Sequence, residues 1–136
     1  MKKSWIEKRD LDKKIQVKIT KKQFAGVRAG TKLLIPTPIV IDKLVKKISE
    51  GSFLYSKQIR ERLAQNFNAE ATCPLVTGIS MRIISEAAFE EYQNHKDINM
   101  ITPFWRIVEP DSKLAEKLDC GIDFIIDKQI QEGIEL

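Results

Sequence analysis

The stretch Ile101–Pro110, ITPFWRIVEP, sets a proline, two adjacent aromatics and an arginine at Pro103-Phe104-Trp105-Arg106, in a chain with only two tryptophans. Side chains so placed suit either stacking on a planar ligand or packing in a core, with Arg106 making a structural hydrogen bond or ion pair. Nucleophilic chemistry needs more. Cys73 stands near a helix start, where the helix field favours a thiolate, but no histidine base adjoins it in the sequence. Cys120-Gly121 reads as a turn, and both cysteines read as structural free thiols. The one histidine, His95, precedes a loop and lacks a ligand set for a metal. Glu61, Glu70, Glu86, Glu90 and Glu91 suit solvated helix faces or partners for Arg60, Arg62 and Arg82. They define no carboxylate pair at a catalytic separation, and Glu90 and Glu91 would oppose a phosphate backbone that they faced. No phosphate loop, zinc pattern, calcium loop or serine-hydrolase elbow occurs. An enzyme using Cys73 is therefore the last-ranked reading, and no cofactor is implied.

The elements that must position these residues follow from periodicity. Residues 1–14 read as mobile or peripheral. Lys14–Ile19, KIQVKI, alternates as a half-buried strand would, or lies as an extended arm across the domain. Glycines in GVRAGTKLL suit a turn. Ile41, Leu44, Val45 and Ile48 recur at helical spacing, with Pro38 in the first turn and Gly51 past the end. A second short helix covers Ser56–Gln65, capped by Ser56 and turning Ile59 and Leu63 inward. A third begins near Pro74 and runs to Tyr92; Ile79, Ile83, Ile84, Ala87 and Ala88 supply its buried face. FWRIV is expected as a strand or sheet edge. A last helix over IDFIIDKQIQ sets Ile122, Ile125, Ile126 and Ile130 on one side.

Composition narrows the class. A chain of 136 residues with 43% hydrophobic types can bury a real core. No apolar run approaches the roughly 20 residues needed to cross a bilayer, and the N-terminus does not resemble a secretory signal. The expectation is a cytoplasmic protein with no membrane partner. The net charge of +4 is unevenly spread: residues 1–48 hold 14 Lys/Arg against 4 Asp/Glu, and residues 49–136 hold 9 against 15. The basic arm can neutralise nucleic-acid phosphates, form a solvated face, or contact the acidic part of the same fold.

Two short helices, one ending near Asn66 and the next starting near Pro74, make a helix-turn-helix; FWRIV would serve as a wing or its support. Arg60, Arg62 and Arg82 would then contact phosphates or base edges of duplex DNA. The predicted class is mainly α with a small β element. It is a winged-helix-like helix-turn-helix domain over 34–108, with a basic arm or strand over 1–33 and a helical C-terminal extension over 109–136.

Over about Leu34–Val108 the chain resembles the DNA-binding domain of O6-alkylguanine-DNA alkyltransferases and alkyltransferase-like proteins. The resemblance rests on the Ile35-Pro36 lead-in, the helix from Pro38, Tyr55 before a short helix, the helix from Pro74, and the proline-aromatic-arginine segment. The enzymes carry Pro-Cys-His-Arg-Val, whose cysteine receives an alkyl group from a flipped guanine. Here Pro103, Phe104, Trp105, Arg106 and Ile107 fall on that motif. Phe104 has no nucleophilic atom and Trp105 cannot relay a proton as histidine does, so alkyl transfer is not expected. The resemblance implies DNA contacts from Tyr55, Arg106 and a finger arginine, for which Arg82 is the one candidate on the helix from Pro74. It also implies base stacking by Phe104 or Trp105. The resulting expectation is a non-catalytic DNA-binding protein that recognises alkylated or distorted duplex. The alternative is a structural or protein-interaction module that keeps the fold without DNA recognition.

Overall fold

The computed structural model describes residues 2–136. In chain order run α1 (Trp5–Arg9), β1 (Gln16–Ile19), β2 (Lys32–Ile35), α2 (Pro38–Lys46), α3 (Ser56–Asn66), β3 (Ala71–Thr72), α4 (Pro74–Gln93), a 3₁₀ turn at Phe104–Arg106, α5 (Lys113–Lys117) and α6 (Ile122–Glu132). The domain is mainly α-helical with a small open sheet.

Five residues cannot sustain a helix alone, and α1 is held from both sides. The Ser4 hydroxyl accepts from Glu7 N and Glu7 Oε1 accepts from Ser4 N, both at 3.1 Å, a reciprocal cap. Glu90 of α4 accepts from the backbone N–H groups of Trp5 and Ile6, while Glu91 pairs with Arg9. The expectation of a mobile or peripheral segment is corrected for Trp5–Arg9. Glu90 and Glu91 are occupied by the chain's own N-terminal helix.

β2 is the central strand, antiparallel to β1 and parallel to β3, with Leu34 opposite both Val17 and Thr72. The alternation in Lys14–Ile19 does mark a strand, but all four residues of β1 are exposed, so the half-buried reading is corrected. Leu33 and Leu34 of β2 are buried instead. β3, unforeseen in the link after α3, is tied to β2 by Cys73 N donating to Leu34 O at 2.8 Å.

Thr37 caps α2 through its hydroxyl, Pro38 opens it, and Ile41 and Val45 are fully buried. Gly51 has φ +86° and stands against α6: a Cβ there would lie 3.2 Å from the Glu132 carbonyl oxygen. In α3 the cap falls one residue earlier than expected, on Tyr55 rather than Ser56, with Gln58 Oε1 accepting from Tyr55 N. Ile59 and Leu63 point inward as their spacing predicts. α4 runs through Gly78 to Gln93, burying Ile84, Ala87 and Ala88, while Ile79 is 62% exposed and does not belong to the buried face.

The core gathers Leu34, Ile41, Ile59, Ile84, Phe104 and Ile125 with their neighbours. FWRIV is neither strand nor wing. Phe104–Arg106 form a buried 3₁₀ turn, because both rings and Ile107 and Val108 all point into the core, which the alternation of a strand forbids. α6 also packs differently from its isoleucine pattern. Ile125 and Gln129 are buried, but Ile122 and Ile130 are 36% and 70% exposed. Gln129 Nε2 donates to the carbonyls of Trp105 and Val108, both at 2.9 Å, so a polar side chain faces inward to satisfy the turn.

Candidate nucleic-acid interface

Phe104 is completely buried and Trp105 is 3% exposed. Phe104 stacks on Phe124 with ring centroids 5.9 Å apart, and Trp105 Nε1 donates to Glu132 Oε2 at 2.7 Å. Neither ring offers a face to an extrahelical base in this conformation. The predicted base-stacking pair is therefore core. Arg106 is likewise engaged: its Nε and Nη2 donate to Glu132, and Nη1 donates to the Ile48 carbonyl at 2.7 Å. It fills the structural role that the sequence allowed and is not presented to a phosphate.

The remaining predicted contacts are dispersed. Tyr55 is 41% exposed, with its ring edge-on to Phe53. Arg60 lines a cleft beside β3, whereas Arg62, two residues on and on another side of α3, lines a groove between α2 and α3. Arg82 turns towards α1: its guanidinium lies 5.2 Å over the Trp5 ring, with Nε 3.6 Å from Glu86 Oε2. That separation is an ion pair rather than a hydrogen bond. No continuous track joins Arg60, Arg62 and Arg82.

A different set does converge, around the first half of α4. From Pro74 to Ser85 the helix contains no acid, and Arg82 is its one charge. Leu75 and Ile79 are 60% and 62% exposed, and Gly78 between them faces open space. They form an outward stripe at helical spacing that runs up to Arg82, whose side chain bends away to α1. On one side lies a cleft of about 440 Å³ whose lining includes Arg28, Lys57, Arg60 and Thr31, together with Glu61 and Glu70. On the other lies a cleft lined by Lys13, Lys14 and Gln16 against Val76, Ile79 and Ile83. The Arg60 Nε is buried without a hydrogen-bond partner. Cys73 gives no side-chain cap to α4, whose N-terminal end carries the positive pole of the helix dipole.

Arg28, Lys57, Lys13 and Lys14 were missed as site residues because nothing local marks them. They reach α4 through the turn after β1, the start of α3 and the segment before β1. Arg9–Glu91 is the one ion pair among the described residues that joins the basic residues 1–48 to the acidic remainder. Apart from Arg9, the cations of residues 1–48 make no ion pair with residues 49–136 among the described residues.

The thiols are poorly placed for chemistry. Cys73 is buried, and burial, followed by the nearby Glu86 and Asp119 charges, pushes the Cys120 thiol up to about 11. His95 is exposed on a left-handed φ of 72°. Among the described residues no three His, Cys, Asp or Glu side chains form a metal-binding group, and no helix is long and apolar enough to cross a membrane. No protein-family model, curated protein sequence or solved structure matches the chain.

Proposed function

We propose that this protein binds duplex DNA as a helix-turn-helix module without alkyl-transfer chemistry, with the first half of α4 as the helix that enters a groove. The observation that carries this reading is the acid-free, outward stripe of α4 flanked by two clefts that both carry basic residues. Phosphates of the two strands would be met by Arg28, Lys57 and Arg60 on one side and by Lys13 and Lys14 on the other. Each neutralised phosphate releases counterions and steepens the salt dependence. Leu75 and Ile79 would contact thymine methyls or a distorted step. Preference for alkylated or distorted duplex is the finer part of the proposal and rests on the family resemblance.

The apolar pair Leu75 and Ile79 also suits a protein surface, which keeps the interaction-module reading in play. One titration separates the two. Binding to undamaged and O6-alkylguanine duplexes is measured across a salt series for the native chain and for Arg28→Ala, Lys57→Ala and Ile79→Glu. The DNA reading expects salt-sensitive binding, a slope lowered by about one for each lost phosphate contact, and loss of affinity in Ile79→Glu. Absence of duplex binding at low salt overturns it. Equal affinity for both duplexes keeps DNA binding and rejects lesion recognition.

A further inference from the structure

Away from α4, α2 and α3 leave between them a groove of about 570 Å³, floored by Val40, Leu44, Leu63 and Phe67. Its rim carries Lys43, Lys47 and Arg62, and its lining contains no acid. None of these three cations has an ion-pair partner among the described residues. The groove shares no lining residue with the two clefts that flank α4. It is a separate surface.

The opposite chemistry lies outward on α6. Because Ile125, Gln129 and Glu132 face the 3₁₀ turn, helical geometry turns Ile130 outward, with half-buried Ile126 at the edge of the same row, beside Asp123 and Asp127. Ile130 is 70% exposed, and Ile122 extends the apolar row one turn earlier. Both aspartates are without an ion-pair partner among the described residues. The helix is about 16 Å long at 1.5 Å per residue, so its isoleucine row offers anchors at one-turn intervals. Helices of this kind dock by laying an apolar row into a groove whose rim matches their charge.

We propose that the α2–α3 groove receives α6 of a second copy of this chain. Ile126 and Ile130 would enter between Leu44 and Phe67, and Asp123 and Asp127 would meet Lys43, Lys47 and Arg62. The uneven charge of the chain supports a partner of its own kind. The basic first third and the acidic remainder share the single ion pair Arg9–Glu91 among the described residues, leaving charges of both signs available between molecules. The contact uses two different patches, so it is heterologous. A dimer keeps one free groove at one end and one free helix at the other, and growth into rings or short chains follows. A contact of one short helix belongs to the small, transient class of interfaces.

Sedimentation velocity of the full chain in low salt, up to about 1 mM protein because such contacts are weak, tests the pairing. The native chain is expected to associate with rising concentration and to dissociate with salt. A groove variant, Lys43→Glu with Lys47→Glu, and a helix variant, Ile130→Ser with Asp127→Ser, should each stay monomeric and keep the native thermal transition. Their mixture should form a 1:1 dimer that grows no further, since it holds one intact groove and one intact helix. A native chain that is monomeric throughout, a variant that still associates, or a mixture that stays monomeric overturns the proposal. So does a monomeric native chain whose groove variant loses duplex affinity, which assigns the groove to nucleic acid. Because these variants leave both clefts beside α4 intact, failure here leaves the DNA reading standing.

Discussion

Arg106 and Glu132 close the C-terminal helix onto the 3₁₀ turn through two parallel hydrogen bonds, Nε to Oε1 at 2.8 Å and Nη2 to Oε2 at 2.9 Å. The same carboxylate accepts from Trp105 Nε1 and from Gly51 N, and the third guanidinium nitrogen reaches the Ile48 carbonyl. One ion pair therefore joins the end of α2, the turn at Gly51, the 3₁₀ turn and α6. Glu132→Ala strands a guanidinium that is only 15% exposed, together with an indole N–H. Breaking a buried pair from one side costs about 3–5 kcal/mol. A urea titration should show that loss as a lower midpoint for Glu132→Ala and for Arg106→Ala.

The pair also sets an acid limit. Burial alone would raise the Glu132 carboxyl, but hydrogen bonds from Arg106, Trp105 and Gly51 outweigh it and hold the group below the usual carboxylate range. A depressed native value means that the carboxylate stabilises the fold above the unfolded value near pH 4.5, and that this contribution disappears as pH falls through the native value. Glu132→Gln lacks that titration. The stability gap between native and Glu132→Gln chains, read from urea midpoints, should be full at pH 7 and should shrink steadily below about pH 4.5.

Helix ends written in local chemistry were legible: Pro38 and Pro74 open α2 and α4, and Gly51 follows α2 with a positive φ. So was the inward side of α3, because Ile59 and Leu63 answer to one helical period. α1 was not foreseen, because its five residues depend on Glu90 and Glu91, more than 80 residues away. Ala71–Thr72 forms a strand only because β2 lies beside it, and two residues carry no period. In α6 the isoleucine row misled, since the turn at Phe104–Arg106 required an inward amide from Gln129. The resemblance located Pro103–Arg106 as a segment of interest, but burial of its rings was a property of the assembled core. The converging cations beside α4 come from separate chain segments and had no sequence signal.

Gln129 offers a clean test of that inward amide. Its Nε2 serves two carbonyls in a site where the residue is only 5% exposed. Gln129→Leu keeps the volume roughly constant and removes both donors. Leaving buried acceptors unpaired costs about 1–3 kcal/mol each, so the variant should unfold well before the native chain in a thermal melt despite its greater hydrophobicity.

The two thiols should be slow. Cys73 is 4% exposed, and Cys120, with its thiol pushed up to about 11, holds few thiolates near neutrality. Iodoacetamide labelling of the native protein near neutral pH, followed by intact mass, should leave both sites unmodified long after a denatured control is complete. The Cys120 rate should climb about tenfold per pH unit up to about pH 10, because the thiolate is the reacting form. Rapid labelling of Cys73 at neutral pH would contradict its burial and revive a nucleophilic role.

Restoring the motif should not restore a reactive centre. Phe104→Cys with Trp105→His rewrites Pro103–Ile107 as Pro-Cys-His-Arg-Ile, yet position 104 is fully enclosed and its ring stacks on Phe124. The smaller side chain leaves a cavity and costs about 3 kcal/mol, while the histidine forfeits the indole packing around Glu132. An alkyltransferase site needs its thiol open to a flipped base, whereas this backbone buries it in a 3₁₀ turn. The double variant is expected to take up no alkyl group from an O6-alkylguanine duplex. Its new thiol should react with a disulfide reagent only at the rate of global unfolding. Stoichiometric alkyl transfer to that introduced thiol in a folded variant would show that the core at Phe104 opens readily, and would return the segment to the base-stacking role that the resemblance implies.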